Sequence, residues 1–168
     1  MSKRVDSYHF LDRLTTRAMK GWAEREPVRA IPWTPLSKPL SECRLALVSS
    51  AAIALKSDIP FDLELERRNP WISDPSYRVL PRDATEDDVT IYHLHIDRRF
   101  AQQDLNCIFP LQHLASLEAV GEIGYVAPRH YTFMGYTCEA APLIANSLPG
   151  MLRSLQEDQV DAVLLIPV

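Results

Sequence analysis

The stretch Leu45-Ala46-Leu47-Val48 decides the fold class, because it is a short apolar run that stops at two serines. A continuous apolar run of this length is typical of a strand that is buried on both faces, as in a parallel sheet. Ala162-Val163-Leu164-Leu165-Ile166 has the same character, so we predict a second buried strand there. A weaker strand is predicted over 123–127, and another over 89–96, where side chains alternate between two faces.

Helix signals separate these strands. Asp97 is a residue type that caps a helix, and Pro110 suits the first turn of a second helix that Gly121 stops. Ser147 is predicted to cap a last helix with Pro149 in its first turn. Strands that alternate with helices predict an α/β fold with a mainly parallel sheet and flanking helices. Because no helix follows the last strand, we expect this fold to be incomplete at the C-terminus.

Two regions are predicted along the 168 residues. Residues 1–42 hold an amphipathic helix, expected over Ser7–Glu26, and a proline-rich arm, Pro27–Ser41. Residues 43–168 hold the α/β domain. Within it, Lys56–Asp88 is charged and broken by prolines, and an ordered excursion of this length suggests a function.

Composition excludes several classes of function. Hydrophobic residues make up 46% of the chain and charged residues 24%, which is typical of a globular protein. The net charge of −4 lacks the basic excess that nucleic-acid binding needs. The apolar stretches fall short of the ~20 residues that span a bilayer. Three cysteines without a Cys-x-x-Cys pair suit a reducing compartment, so we expect a cytoplasmic protein without nucleic-acid or membrane partners.

Two histidines and two serines mark the sheet edge at which α/β proteins collect their ligands. His93 and His95 share one face of the predicted strand, and Asp97 continues that face, so its carboxylate is suited to orient an imidazole. Ser49 and Ser50 end the first strand before residues that are expected to begin a helix. Their hydroxyl and backbone N–H groups suit a substrate carboxylate. The alternatives are surface histidines and simple helix capping.

A second group of candidates lies in a glycine-containing loop predicted after residues 123–127. His130, Tyr131 and Tyr136 are polar rings suited to bind or cover a small acid there. Cys138 is the best-placed thiol, although a lone cysteine is more often a small buried hydrophobic residue. A zinc-dependent hydrolase or lyase is an alternative, although the spacing matches no compact metal motif. Its potential ligands are His93, His95, Cys107, His113, His130 and Cys138.

Five short blocks of sequence follow one another from about residue 43 onward. They are Arg44–Ser50, Asp74–Arg78, His93–Asp97, Asp104–Cys107 and Arg129–Tyr136. Together they resemble successive blocks of the selenoprotein B component of glycine, sarcosine and betaine reductase and of its D-proline reductase relatives. Val160–Val168 is similar to the strand that leads into the redox selenocysteine or cysteine of these proteins.

This resemblance implies reductive cleavage of a carbon–nitrogen bond α to a carboxylate, in an amino acid or a betaine-type substrate. A selenolate or thiolate is the implied nucleophile, a dithiol the electron donor, and other reductase subunits the partners. Either strand histidine would protonate the leaving amine or steady the selenolate. Ser49, Ser50, Arg129 and Tyr131 are the implied substrate-binding residues, and His93, His95, Asp97, His130 and Cys138 the catalytic ones. We expect no cofactor within the chain, and any pyruvoyl group on a partner subunit.

Selenocysteine is encoded by a codon that otherwise means stop. We therefore expect the sequence to end at a selenocysteine codon directly after Val168. If translation instead ends there, a non-catalytic binding or scaffold subunit becomes the better interpretation.

Overall fold

The fold is described by a computed structural model that covers residues 8, 11–25, 30, 34–69, 71–137 and 139–168. Two compact units are present, Met1–Pro35 and Leu36–Val168. No helix in the part of the chain that is described is long and apolar enough to cross a membrane.

The N-terminal unit contains helix α1 (Arg13–Ala23), which is shorter than the predicted helix over Ser7–Glu26. Its start is set by Asp12, whose carboxylate accepts hydrogen bonds from the backbone N–H groups of Leu14 and Thr15 at 2.8 and 3.0 Å. These are two of the N–H groups that a helix start leaves without an internal partner.

Strand β1 (Arg44–Ser49) forms the centre of a five-stranded sheet. Strand β7 (Ala162–Ile166) pairs with it in parallel along its length, so β5 (Tyr125–Val126) and β6 (Arg129–Phe133) must share its other side, also in parallel. Strand β3 (Tyr77–Pro81) is antiparallel to β6. The predicted α/β fold with a mainly parallel sheet is therefore confirmed.

In the described part of the larger unit, a smaller sheet and five helices complete the fold. The smaller sheet pairs β2 (Ile53–Leu55) with β4 (Val89–Ile91) in antiparallel orientation. The helices are α2 (Leu63–Arg68), α3 (Arg98–Gln103), α4 (Leu111–Ala119), α5 (Ala141–Asn146) and α6 (Leu148–Glu157). Short 3-10 turns lie at Leu40–Glu42, Glu86–Asp88 and Leu105–Cys107.

The two faces of β1 are buried by different partners, because successive strand side chains point in opposite directions. Leu45 and Leu47 belong to the main core, which includes Leu111 and Leu114 of α4. Val48 belongs to a second cluster with Tyr131 of β6 and Met151 of α6. The sheet is thus covered by helices on both sides, and burying each large side chain contributes roughly 1.5–3 kcal/mol.

The imidazole of His130 takes the place of a backbone partner for β1 between the end of β5 and the start of β6. Pro128 has no N–H and interrupts the pairing of these residues with β1. The Nδ1 atom of His130 accepts a hydrogen bond from the backbone N–H of Leu47 at 2.9 Å. Both residues are fully buried, and leaving this N–H unpaired would cost about 1–3 kcal/mol. His130 is therefore a structural part of the sheet.

Three sequence-based predictions of local structure were wrong. No helix begins at Ala51–Ala54, because Ala52 adopts a left-handed conformation (φ 53°) and the chain then enters β2. The strand predicted over Val89–Ile96 ends at Ile91. The loop predicted around Arg129–Phe133 is strand β6, whose buried polar side chains disguised its alternation.

The burial predicted for the last strand was also wrong. Val163, Leu164 and Leu165 are exposed, and Leu165 has 68% of its surface accessible. The reason is position, since β7 pairs with β1 and with no other strand among the described residues.

The helix starts predicted from the sequence agree with the structure better than the predicted strands do. The carboxylate of Asp97 accepts a hydrogen bond from the backbone N–H of Arg99 and caps α3, as predicted. Ser147 precedes α6 as predicted, but its hydroxyl donates to the carbonyl oxygen of Pro75 and makes no capping bond. The proline-rich arm contains no helix or strand over 34–39.

The buried imidazole of His130 should make the free energy of unfolding depend on pH. Burial, followed by the charge of Arg82, lowers the pKa of His130 from 6.5 to about 4. As pH falls, the unfolded chain binds this proton first, so the stabilisation present above pH ~6.5 is lost between ~6.5 and ~4. Replacing His130 by Asn keeps an acceptor for Leu47 but removes the titration. Between pH ~7.5 and ~4.5, we expect the native protein to lose about 2.5 kcal/mol more free energy of unfolding than His130→Asn.

Urea unfolding at a series of pH values measures this difference. Carboxylate titration affects both proteins alike and cancels in the comparison. Parallel curves for the two proteins would show that His130 does not resist protonation.

Candidate functional site

The candidate site lies where β1 and β6 end, at the same edge of the sheet. These strands are parallel, with Ser49 paired to Thr132, so their carboxyl ends meet. The backbone N–H of Ala52 donates to the carbonyl of Phe133 at 3.0 Å, and its carbonyl accepts from Tyr92 N–H at 2.8 Å. The turn after β1 thereby joins the last residue of β6 to the segment that follows β4.

His93 is the buried centre of this site, with 4% of its surface exposed. Its Nδ1 accepts a hydrogen bond from the backbone N–H of His95 at 3.1 Å, so the neutral ring carries its proton on Nε2. That Nε2 atom is buried and has no hydrogen-bond partner among the described residues. Burial and the charge of His95 lower the pKa of His93, against the opposing effects of Glu66 and the Val168 backbone. His93 is thus a neutral hydrogen-bond donor near pH 7.

Gly135 makes room for this imidazole. A Cβ atom at this position would lie 2.7 Å from His93 Nε2 and 2.7 Å from the carbonyl oxygen of Ser50. Tyr136 follows in the left-handed region at φ 57°. Such a backbone costs a non-glycine residue about 1–3 kcal/mol and is common at functional sites. The turn therefore holds the backbone directly against His93.

The end of β7 reaches the same place. Ser50 Oγ accepts a hydrogen bond from the backbone N–H of Val168 at 2.9 Å, and Ser50 N–H donates to the carbonyl of Ile166 at 3.1 Å. The backbone of Val168 is also close enough to His93 to oppose the lowering of its pKa. Ser50, His93 and Val168 therefore border one position.

His95 forms the open side of the site, with 47% of its side chain exposed. Its Nε2 is 2.5 Å from Oε1 of Glu66, a carboxylate on α2 with 4% of its side chain exposed. The ring of Tyr136 lies 4.3 Å from the His95 ring, and the His93 ring meets it edge-on at 5.9 Å. The excursion over Lys56–Asp88, which we expected to have a function, thus supplies a buried acid to the site.

The structure brings together four of the predicted candidates, His93, His95, Ser50 and Tyr136. The two histidines lie in a turn after β4 and do not share a strand face, because the strand ends at Ile91. Ser49 points away from them into the core, where its hydroxyl donates to the carbonyl of Ile108 at 3.0 Å.

Two other predicted residues are occupied by ion pairs. Asp97 binds Arg99 and does not orient an imidazole, and the Arg99 hydrogen bond lowers its pKa. Arg129 lies at the start of β6, the end remote from His93. It binds Asp158 and Glu157, which raise its pKa.

Two further candidates lie inside the sheet, and one is not described. His130 binds the backbone of Leu47, and Tyr131 is buried beside the ring of Tyr77 at 6.0 Å, where burial raises its pKa. Cys138 lies outside the described residues. The chemical roles of all three stay predictions.

Glu66 was not predicted from the sequence as a residue of the site. It sits among exposed charges in Leu63–Arg68, and its partner His95 is 29 positions away. The one available signal is helical spacing, because Glu66 lies three residues after the half-buried Leu63.

Metal binding gains no support. In the ranges that the structure covers, no group of three or more His, Cys, Asp or Glu side chains is arranged to hold a metal ion.

Comparisons with known proteins address the resemblance directly. The family model described as glycine/sarcosine/betaine reductase selenoprotein B matches residues 10–167. The D-proline reductase subunit gamma of Acetoanaerobium sticklandii is 35% identical over 133 residues, covering 79% of this chain and 52% of that protein. The glycine reductase complex component B subunit gamma of Carboxydothermus hydrogenoformans is 29% identical over 136 residues, covering 80% and 30%. No solved structure matches.

The chain therefore spans about half the length of the first of these relatives and less than a third of the second. The family match nevertheless extends over almost all of its residues and includes the residues that build the site, apart from Val168. This chain belongs to the glycine/sarcosine/betaine reductase selenoprotein B family.

Proposed function

We propose that this chain is a subunit of a cytoplasmic reductase that cleaves a carbon–nitrogen bond α to a carboxylate, using a selenolate or thiolate directly after Val168 as nucleophile. The observation that carries the proposal is the hydrogen-bonded position of Val168 between Ser50 and His93. A residue attached there would begin beside the His93 imidazole N–H, which no other side chain among the described residues binds.

The first step forms a bond from selenium to the α-carbon and breaks the carbon–nitrogen bond. The amine leaves with the electron pair of the broken carbon–nitrogen bond and takes up a proton. A thiol of the dithiol donor then attacks selenium, and the carbon leaves with the Se–C electron pair and is protonated. The second thiol releases the selenolate as the dithiol becomes a disulfide. Atoms and electrons balance, with the substrate reduced and the dithiol oxidised.

His93 and His95 have different parts in this scheme. Burial keeps His93 neutral, so its Nε2–H donates a hydrogen bond that stabilises the anionic nucleophile. A selenol is more acidic than the cysteine thiol, whose pKa is about 8.5, so little further help is needed for ionisation. His95 is exposed and supplies the proton to the departing amine.

Substrate recognition is shared with other parts of the enzyme. Of the four residues expected to bind the substrate carboxylate, Ser50 alone borders His93, and its hydroxyl already binds Val168. Further donors therefore come from other segments or subunits. Both relatives are named as subunits, which supports other reductase subunits as partners. Any pyruvoyl group belongs to such a partner, and the substrate is an amino acid or a betaine-type molecule.

The codon that follows Val168 tests the nucleophile. We expect UGA, with the reading frame continuing beyond it. Replacing the decoded residue by alanine should abolish turnover of glycine, sarcosine, betaine and D-proline in the assembled complex with a dithiol, and leave the unfolding temperature unchanged. A UAA or UAG codon without downstream coding sequence would refute the proposal and favour a non-catalytic binding subunit.

Gly135 tests whether the geometry around His93 matters. In Gly135→Ala the new Cβ must displace either the imidazole or the Ser50 backbone, each 2.7 Å away. We expect about 100-fold lower kcat, because small displacements of reacting groups have large effects on rate. The matched control is Gly21→Ala in α1, where a Cβ has no neighbour within 4 Å among the described residues. Equal turnover in both variants would remove His93 from the reaction.

A further inference from the structure

We propose that Glu66 is a positioning residue that binds Nε2–H of His95 and thereby makes Nδ1 the atom that delivers the proton. The inference rests on the proposed function in one respect, the role of His95 as general acid. The orientation and tautomer of His95 are properties of the protein alone.

The contact between the two side chains is short and partly shielded from water. Oε1 of Glu66 lies 2.5 Å from His95 Nε2, so the two atoms are in direct hydrogen-bonding contact. The other carboxylate oxygen, Oε2, is buried and has no hydrogen-bond partner among the described residues. A buried carboxylate is costly unless it is paired, so this one depends on His95 for its main compensation.

Helix α2 fixes the carboxylate in place. The side chain of Asp62 caps the helix by accepting from the backbone N–H groups of Glu64 and Leu65 at 3.0 and 3.1 Å. The N–H of Asp62 in turn donates to Asp74 at 2.8 Å. An acid on a capped helix is held more precisely than one on a loop.

The His95 ring is oriented from three directions. Glu66 binds Nε2, the Tyr136 ring packs on the imidazole at 4.3 Å, and the His93 ring meets it at 5.9 Å. The nearby charged groups Asp97 and Arg99 bind each other. Glu66, His93 and Tyr136 are titratable groups that contact His95 directly.

These contacts specify one proton arrangement. With Nε2–H bound to Glu66, the neutral His95 ring has its lone pair on Nδ1. When the ring is doubly protonated, Nδ1–H carries the proton that passes to the departing amine. Removing the carboxylate should therefore change the tautomer of His95 as well as the rate.

The experiment compares Glu66→Gln with Glu64→Gln. Both substitutions remove one carboxylate from α2 and keep side-chain size, but Glu64 is exposed and pairs with Arg67 on the surface. Histidine ¹⁵N shifts of the labelled chain, recorded about two pH units above the ordinary histidine pKa of ~6.5, report which nitrogen carries the proton. We expect the Nε2–H form of His95 to predominate in the native chain and in Glu64→Gln, and a mixture of tautomers in Glu66→Gln.

Activity in the assembled complex gives a second measurement. Glu66→Gln should lower kcat by roughly 10- to 100-fold with little change in KM, the range typical for loss of a residue that orients a histidine. It should also lower the pKa of His93, because Glu66 raises that pKa in the native protein. If Glu66→Gln fails to fold, Glu66→Asp keeps the charge but withdraws it by one methylene, and the same tautomer mixture is expected.

Two outcomes would overturn the inference. One is an unchanged His95 tautomer in both Glu66 variants, and the other is a loss of activity in Glu64→Gln as large as that in Glu66→Gln. Failure of the proposed function looks different, because the native complex would then lack reductase activity while the tautomer difference remained.

Discussion

The pairing of β1 along both of its sides is the constraint on which the rest of the structure depends. Its residues accept β7 on one side and both β5 and β6 on the other, so its backbone groups are satisfied only if all three arrive in register. The weak point is Leu47, which faces the break at Pro128, and an imidazole closes it. A buried polar side chain is thus part of the hydrogen-bond ladder of the sheet. The position of β6 relative to β1 therefore depends on the imidazole of His130.

The site inherits its geometry from this pairing. Parallel strands deliver their carboxyl ends to one edge, so Ser50, Gly135 and Val168 lie close together there. His93 then fills the space between them, and a side chain on Gly135 would be incompatible with it. The lack of a Cβ at position 135 is consequently a structural requirement of the site.

The features that were predicted correctly depend on residues that are close together in the sequence. The apolar run of β1 and the cap at Asp97 were read correctly. The shared strand face predicted for His93 and His95 was wrong, because β4 ends at Ile91, and Ser49 points into the core. Strand β6 was missed because His130 and Thr132 are polar yet buried, each binding a backbone N–H of another strand. Glu66 was missed for a related reason, since only tertiary packing brings α2 to a histidine 29 positions away.

The two imidazoles at the site lie in different environments. His93 is buried and His95 is open to solvent, and a positive charge on His95 disfavours a second one on His93. In the proposed reaction this repulsion is useful: when His95 carries the proton destined for the amine, His93 stays neutral and keeps its N–H for the nucleophile. Glu66 compensates the charge of His95 and is held on a separate helix. Environments that separate two titratable groups in this way let one act as an acid while the other acts as a fixed dipole.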